Sequence, residues 1–344
     1  MYDIITIGTA TRDIFLKSPF FRIVKDGNYF KKIGFPTGEA QCFALGGKID
    51  IEKPVFTTGG GATNAAVSFA RQGFKTAAVV KVGNDFSGKE ILNELKSEKV
   101  FAFNLKSGED TDYSTILLSP TGERTILVYR GASKSLALKE IPFKKMKAKW
   151  VYITPGKISF SVMGEIFDYF YKRGILIAFN PSKRFIELGI SKMRPFLNKS
   201  KVILLNREEA SYLTGIDFQK EKEIFKVLDK EVPGIVVMTD GENGAVVSDG
   251  RKIYKSEIFK EKKVVDRTGA GDAFGSGFVA GLLQKGEKCE KGLCNIDNIE
   301  YAIRLASANA TSVVEHIGAK AGILTKKDFE KNKRWKNLKI NVKI

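Results

Sequence analysis

VVDRTGAGDAFGSGFVAGLL, residues Val264–Leu283, passes from an apolar strand end through a glycine turn into a helical pattern. Gly269-Ala270-Gly271 lets the backbone approach an anion closely, as glycine-rich turns do. Phe274, Phe278, Val279 and Leu282 recur at the spacing of one helix face. The N–H groups from Gly269 to Asp272 therefore fall at a helix N-terminus, positively polarised, where a phosphoryl group is favoured. Asp272 is the unexpected residue in such a turn. A carboxylate there fits simple helix capping, but phosphoryl transfer also needs a base within reach of the attacking hydroxyl. Capping and catalysis both stay open on these residues alone, with Asp272 a candidate catalytic base and Gly269, Ala270 and Gly271 a candidate anion hole.

The rest of the chain places that turn in an α/β frame. Tyr2–Gly8 (YDIITIG) is a short β-branched run ending in glycine. Thr76–Gly83, Trp150–Thr154, Ile175–Asn180, Lys201–Asn206 and Gly234–Gly241 read the same way. Between several of them lie amphipathic helical patterns: Ser159–Gly174, with a serine start and a glycine stop, Asn206–Gly215 and Thr268–Gln284. Strands alternating with helices predict a mostly parallel sheet covered on both faces. Two stretches break the rhythm. Residues 12–57 hold apolar segments separated by turn signals (DGN, FPTGE, LGGK) with no helical period. Residues 112–130 read as a hairpin, two apolar strands about Ser119-Pro120-Thr121-Gly122. These two stretches predict a small antiparallel sheet projecting from the core as a lid. The resulting division is an α/β core from residues 1–11, 58–111 and 131–330, a β-strand lid from 12–57 and 112–130, and a basic C-terminal tail from 331–344.

Further candidate residues sit at strand ends and turns. Gly60-Gly61 leads into an alanine-rich helix start in which Asn64 offers both a donor and an acceptor. After the first strand comes TATRD, where Asp13 can accept from two vicinal hydroxyls of a polyol. Asn206 and Glu209 have the spacing of a helix N-cap and a first-turn acid. The same acid suits hydrated Mg²⁺ beside phosphates. Thr239, Gly241 and Gly244 form, taken alone, a tight turn between two strands.

Val264–Leu283 resembles the C-terminal signature of the ribokinase-like (PfkB) carbohydrate kinases, Asp-x-Thr-Gly-Ala-Gly-Asp-x-Phe, through Asp266, Thr268, Gly269, Ala270, Gly271, Asp272 and Phe274. Gly60-Gly61-Ala62-Thr63-Asn64, followed by Gly73 and Gly83, resembles the N-terminal signature of the same family. The resemblance spans roughly residues 2–325. It implies a three-layer α/β sandwich with a small β lid, and ATP-dependent phosphorylation of a hydroxyl on a small sugar or nucleoside. It implies ATP contacts at Asn206, Thr239, Gly241, Gly244, Thr268 and Asn309, with a weaker expectation at His316, and Mg²⁺ at Glu209, with K⁺ as a further candidate ion. It implies acceptor contacts at Asp13, Gly60, Gly61 and Asn64. Arg267 departs from the family, which more often has a small or β-branched residue there, and makes the turn's entrance more basic. Thr11 stands where the family's Asn-x-Asp pair has asparagine. Gly59-Gly60-Gly61 stands where ribokinases often carry Gly-Gly-Lys, and both differences weigh against ribose itself.

Tyr129-Arg130, at the end of the hairpin, resembles a pair in relatives that phosphorylate keto sugar acids, where the arginine meets the carboxylate. Strand alternation sends the two side chains to opposite faces, so at most one faces the pocket directly. A neutral sugar or nucleoside stays ahead of a sugar acid, because Asp13 demands only a polyol. In relatives, lids of this type can pair between subunits, so the resemblance makes a homodimer through the lid an expectation.

Composition bounds the remaining classes. The 344 residues are 43% apolar and 28% charged, enough for a large core. The net charge of +18 invites a nucleic-acid reading, but the lysines are spread along the chain, with enrichment only from Lys326 to Lys343. A non-catalytic regulatory or nucleic-acid-binding protein on the kinase fold is the alternative from another class, and the retained Asp272 turn argues against it. A dinucleotide-binding oxidoreductase lacks its Gly-x-Gly-x-x-Gly after the first strand, and no P-loop motif occurs. Cys42, Cys289 and Cys294 are three cysteines at no zinc-like spacing and read as free thiols. His316 is the single histidine, which disfavours a histidine-based triad or a multi-histidine zinc site. No signal-peptide pattern and no apolar run of membrane-spanning length is read, so a cytoplasmic location is the expectation.

Overall fold

The computed structural model describes residues 1–35, 38–119, 124–134, 136–284 and 296–343. Cys289, Cys294 and the hairpin tip Pro120-Thr121-Gly122 lie outside the described residues. The short apolar runs pair into a sheet that is parallel from Phe101–Lys106 through Thr76–Val82, Tyr2–Gly8, Ala148–Thr154, Leu176–Phe179 and Val202–Asn206 to Ile235–Thr239. Ala245–Ser248, Ile253–Ser256 and Ile340–Lys343 extend it in antiparallel fashion to the far edge.

Side-chain alternation divides each central strand between two cores. Ile5, Ile7, Val151, Ile153, Val236 and Met238 face one layer, filled by Ile166, Phe196, Leu213 and Leu228 of the helices Phe160–Tyr171, Gly189–Leu197, Arg207–Thr214 and Glu221–Glu231. Ile4, Trp150, Tyr152, Ile235 and Val237 face the other, filled by Phe69 of Gly61–Arg71, Phe278 of Ala270–Gln284 and Ala306 of Ile296–Val314. The result is a three-layer α/β/α sandwich, the arrangement that the resemblance implies. Because the strands are covered on both faces they are nearly continuous in apolar residues, and Thr76–Val82 is buried at every position.

Beside this core stands a second sheet, in the order Val55–Gly59, Thr11–Lys17, Asp112–Leu118, Arg124–Tyr129. It is mixed rather than antiparallel. Thr11–Lys17 and Asp112–Leu118 run parallel, with Asp13 beside Ser114. The reason is topological: each follows a parallel core strand, Tyr2–Gly8 or Phe101–Lys106, so both set off in the same direction. The outer two strands return antiparallel. The 12–57 stretch also holds a helix, Gly27–Lys32, where only turns were read. Asp26 of the DGN signal caps it, accepting from Tyr29 N–H at 2.9 Å.

The stretch expected as a basic tail is not one. Ile340–Lys343 pairs with Ile253–Ser256, and Trp335 is buried. The apolar residues Trp335, Leu338 and Ile340 among the lysines pack on the core and outweigh the solvation of the charges around them.

Candidate active site

The parallel strands end in a row at one edge of the sheet, the usual site edge of an α/β fold. Gly8, Thr154, Asn180, Asn206 and Thr239 all stand at or just beyond these ends. Above them begins the helix Ala270–Gln284. Its first i→i−4 bond is Ala273 N–H to Gly269 O at 2.8 Å, so the N–H groups of Gly271 and Asp272 precede the helical ladder. The Ala270 N–H turns back weakly, 3.4 Å from Arg267 O. Gly269 has φ +78°, and a Cβ there would come within 2.3 Å of Ala319 Cβ. The turn is fixed from behind by Asp266, which accepts from Thr268 N–H at 2.9 Å, Thr268 Oγ1 at 2.7 Å and Gly318 N–H at 3.0 Å.

The second glycine turn meets the first. Gly60 has φ +95° and its Cα lies so close to Thr9 that a Cβ would fall 2.5 Å from Thr9 O. Thr9 in turn accepts from Ala62 N–H at 3.2 Å and, through Oγ1, from Gly61 N–H at 3.1 Å. This seats the helix Gly61–Arg71 so that Asn64 Nδ2 donates to Asp272 Oδ2 at 2.8 Å, across 208 positions of sequence. Asn64 Oδ1 is buried and has no hydrogen-bond partner among the described residues. Asp13 is 5% exposed and accepts from Thr11 Oγ1 at 2.9 Å. The Thr11 that replaces the family's asparagine therefore still holds the acid.

Burial raises the Asp272 carboxyl above the ordinary carboxylate range, opposed by the Asn64 hydrogen bond and the Lys320 charge and reinforced by the Asp13 charge. Burial likewise raises Asp13, opposed by hydrogen bonds from Thr11 and Ser114 and by the charges of Lys320 and Arg130. Asp13, Asn64, Asp272 and Arg130 thus share one electrostatic neighbourhood. Arg130 already has a partner in it: Nη1 lies 3.4 Å from Asp112 Oδ2. Asp112 is fully buried and also accepts from Gly131 N–H at 3.1 Å, Ser133 N–H at 3.0 Å and the Ser133 hydroxyl.

On the other side of the turn two adjoining cavities open. A smaller one, about 150 Å³, is lined by Asn180, Asn206, Glu209, Thr239, Gly271 and Asp272 among others. A larger cleft of about 420 Å³ brings Thr239, Gly241, Gly244, Ala270 and Gly271 together with Ser307, Ala310, Thr311 and Val314. Asn206 and Glu209 form a reciprocal cap: Asn206 Oδ1 accepts from Glu209 N–H at 2.7 Å and Glu209 Oε2 from Asn206 N–H at 2.8 Å. Burial raises Glu209, opposed by that Asn206 N–H.

Asn309 is misplaced by the sequence reading. It is 1% exposed, and its amide binds Ser68 Oγ at 3.2 Å and Ala273 O at 2.9 Å, while Oδ1 accepts from Leu324 N–H at 3.0 Å. It ties three elements together, and its helix neighbours one to five positions away line the cleft instead. His316 is exposed, with Nδ1 2.8 Å from Ser312 O.

Several residues at the site were not singled out in the sequence. Arg124, at the start of a small-sheet strand, lines the larger cleft with Arg267. Tyr152 is wholly buried, its hydroxyl unpartnered among the described residues, and burial and the Asp272 charge both raise it. Lys320 is 5% exposed; its ammonium binds Glu94 at 2.7 Å and the Thr58 hydroxyl. The lone lysine in IGAKAGIL (Ile317–Leu324) was a legible signal, since an isolated charge among small and apolar residues has to find a partner when buried.

The sequence profile described as pfkB family carbohydrate kinase matches residues 39–326. The chain belongs to this family. Its activity is accordingly phosphoryl transfer to an alcohol group, on a small-molecule sugar or nucleoside. An uncharacterised sugar kinase of Archaeoglobus fulgidus is 27% identical over 75% of this chain and 98% of its own length. A nucleoside kinase of Methanothermobacter thermautotrophicus is 26% identical over 77% of this chain and 81% of its own. The solved ribokinase of Arabidopsis thaliana, complexed with ribose and ATP, superposes with a TM-score of 0.74 at 20% identity, covering 98% of this chain and 99% of that one. The last likeness shows the shared fold. Among the described residues no helix is long and apolar enough to cross a membrane.

Proposed function

We propose that this pfkB family member transfers the γ-phosphoryl group of ATP to a hydroxyl of a neutral sugar or nucleoside, with Asp272 as general base. The observation that carries this reading is the position of Asp272. Its carboxylate is held by Asn64 on the Asp13 side and lines the Asn206–Glu209 cavity on the other, at the N-terminus of a helix. Asn64 engages Oδ2, which leaves Oδ1 to accept the hydroxyl proton. Asp13 and Asn64 orient the acceptor. The acceptor oxygen forms its bond to phosphorus as the bond to the ADP oxygen breaks. Charge on the transferred group is met by the Gly271 and Asp272 N–H groups and the helix dipole, with Gly269 and Ala270 shaping the turn.

The cleft walled by Thr239, Gly241, Gly244 and the helix Ile296–Val314 suits the nucleotide, with Thr268 as anchor of the turn. Glu209 suits hydrated Mg²⁺, and no described cluster of three or more His, Cys, Asp or Glu could hold an ion unaided. Mg²⁺ here would share its shell with phosphates and water, neutralising their charge. The small sheet serves as the lid over the acceptor, excluding water that would otherwise hydrolyse ATP. The exposed Ile126, Leu127, Val128 and Tyr129 at its edge support a homodimer through that lid.

The test is ADP release with Mg²⁺-ATP against a panel of sugars, sugar acids and nucleosides, beside a salt-dependent DNA shift. Acceptor-dependent ADP release is expected. DNA retardation with no acceptor-dependent ADP release across the panel would overturn the reading.

A further inference from the structure

The family match ends at residue 326, yet the chain beyond it packs on the loop 257–262, two residues of which line the large cleft. Trp335 is 3% exposed and meets Phe259 edge-on, ring centroids 5.2 Å apart. Arg334 lies 4.2 Å over the Trp335 ring. Its guanidinium donates to both carboxylate oxygens of Glu315, at 2.9 and 2.5 Å, and to Lys260 O at 2.8 Å. Glu315, one residue past Val314 of the cleft, also accepts from Lys262 N–H at 2.7 Å. Further along, Lys339 O accepts from Glu257 N–H at 3.1 Å, and Lys339 Nζ reaches Glu257 at 2.8 Å.

The irregular loop 257–262 is therefore anchored at Glu257, Phe259, Lys260 and Lys262 by the C-terminal segment or by Glu315 beneath it. The two residues left between the anchors, Ile258 and Glu261, line the cleft. A loop without ladder hydrogen bonds of its own has to be ordered when a ligand binds against it, and an anchored loop has already lost that freedom.

We infer that Arg334 is a positioning residue for the nucleotide site: the C-terminal segment 332–343 sets affinity for ATP by holding the 257–262 loop against the cleft. This rests on the reading of the large cleft as the nucleotide site. Arg334 touches none of the groups assigned to the acceptor or to proton transfer, so its effect is confined to ATP. Without the two-pronged contact, Glu315 and Lys260 turn to water and the loop is ordered at the expense of nucleotide binding.

The experiment compares the full chain with Arg334→Ala and Arg334→Lys by calorimetric titration of ATP and by steady-state kinetics. Arg334→Ala is expected to raise the ATP Kd and KM about 3- to 30-fold, the range of coupling transmitted through a contact network. The acceptor KM and kcat stay at wild-type values. Arg334→Lys keeps the charge and loses the planar fork, so it falls between the two. Unchanged ATP affinity in folded Arg334→Ala, or equal losses for ATP and acceptor, would overturn the inference. Should Arg334→Ala not fold, Arg334→Lys decides by the same two criteria. Ala310→Trp, which fills the cleft, separates the two readings: if it leaves ATP binding intact, the assignment of the cleft fails, whatever Arg334 does.

Discussion

Replacing Asp272 by Asn tests the chemistry with little change of shape. Asn64 Nδ2 donates to Asp272 Oδ2 at 2.8 Å, and an amide can present its oxygen to the same donor. What is lost is the negative oxygen that takes the hydroxyl proton. Removal of a general base costs ~10²–10⁴-fold in turnover, equivalent to about 3–5 kcal/mol of activation free energy. ATP affinity is expected to hold, because the backbone donors of the turn remain. Stability moves the other way. Burial raises the Asp272 carboxyl, so the folded state favours its protonated form. Such a group stabilises the fold below its unfolded pKa and withdraws that contribution as pH rises through the folded value. A neutral amide is free of this cost at neutral pH, and Asp272→Asn is expected to unfold at a higher temperature than the wild type. The same raised pKa puts the acid limb of kcat/KM above the ordinary carboxylate range, because the base must be ionised to act. The assays are coupled ADP release from pH 4 to 9 (a span of about five units around the carboxylate range), calorimetric ATP titration and scanning calorimetry. Turnover by Asp272→Asn near the wild-type rate would refute the assignment of the base. A lower unfolding temperature would refute the argument from burial.

Three further outcomes follow from the same geometry. Gly269→Ala is expected to lose stability by at least ~1–2 kcal/mol from the left-handed backbone alone, with the Ala319 contact adding to it, and urea midpoints equal to wild type would show that the turn differs from this description. Glu209→Gln keeps an acceptor for the Asn206 N–H, so the helix cap survives while the Mg²⁺ requirement rises; an unchanged Mg²⁺ titration would remove Glu209 from the metal site. Arg130→Ala leaves Asp112 with its bonds from Gly131 and Ser133, and kcat/KM for the best acceptor of the panel is expected to hold, whereas a loss of ~1–3 kcal/mol in binding of that acceptor would identify it as an anion that Arg130 grips.

The sequence by itself determined the α/β frame, because apolar runs too short to be helices have the same meaning wherever the chain goes next. The kinase class came from the resemblance of two separate signatures, since glycines beside an aspartate at a helix start are equally a plain helix cap. It also named Asn64 and Asp272 separately, each from its own turn. Their direct hydrogen bond was decided by the tertiary structure, which packs the Gly61–Arg71 and Ala270–Gln284 helices side by side on one sheet face. The same holds for the errors. Asn309 has the chemistry of a ligand contact, and only the packing shows that its amide is spent on Ser68, Ala273 and Leu324. The parallel pairing of Thr11–Lys17 with Asp112–Leu118 depends on where two distant core strands end, which no local pattern records. Lysine-rich residues 331–344 look like solvent-exposed tail until the sheet edge at Ile253–Ser256 offers a strand partner and Phe259 offers a ring for Trp335. Burial partners come from the whole chain at once, and so the site's electrostatics and the C-terminal clamp were fixed by the fold alone.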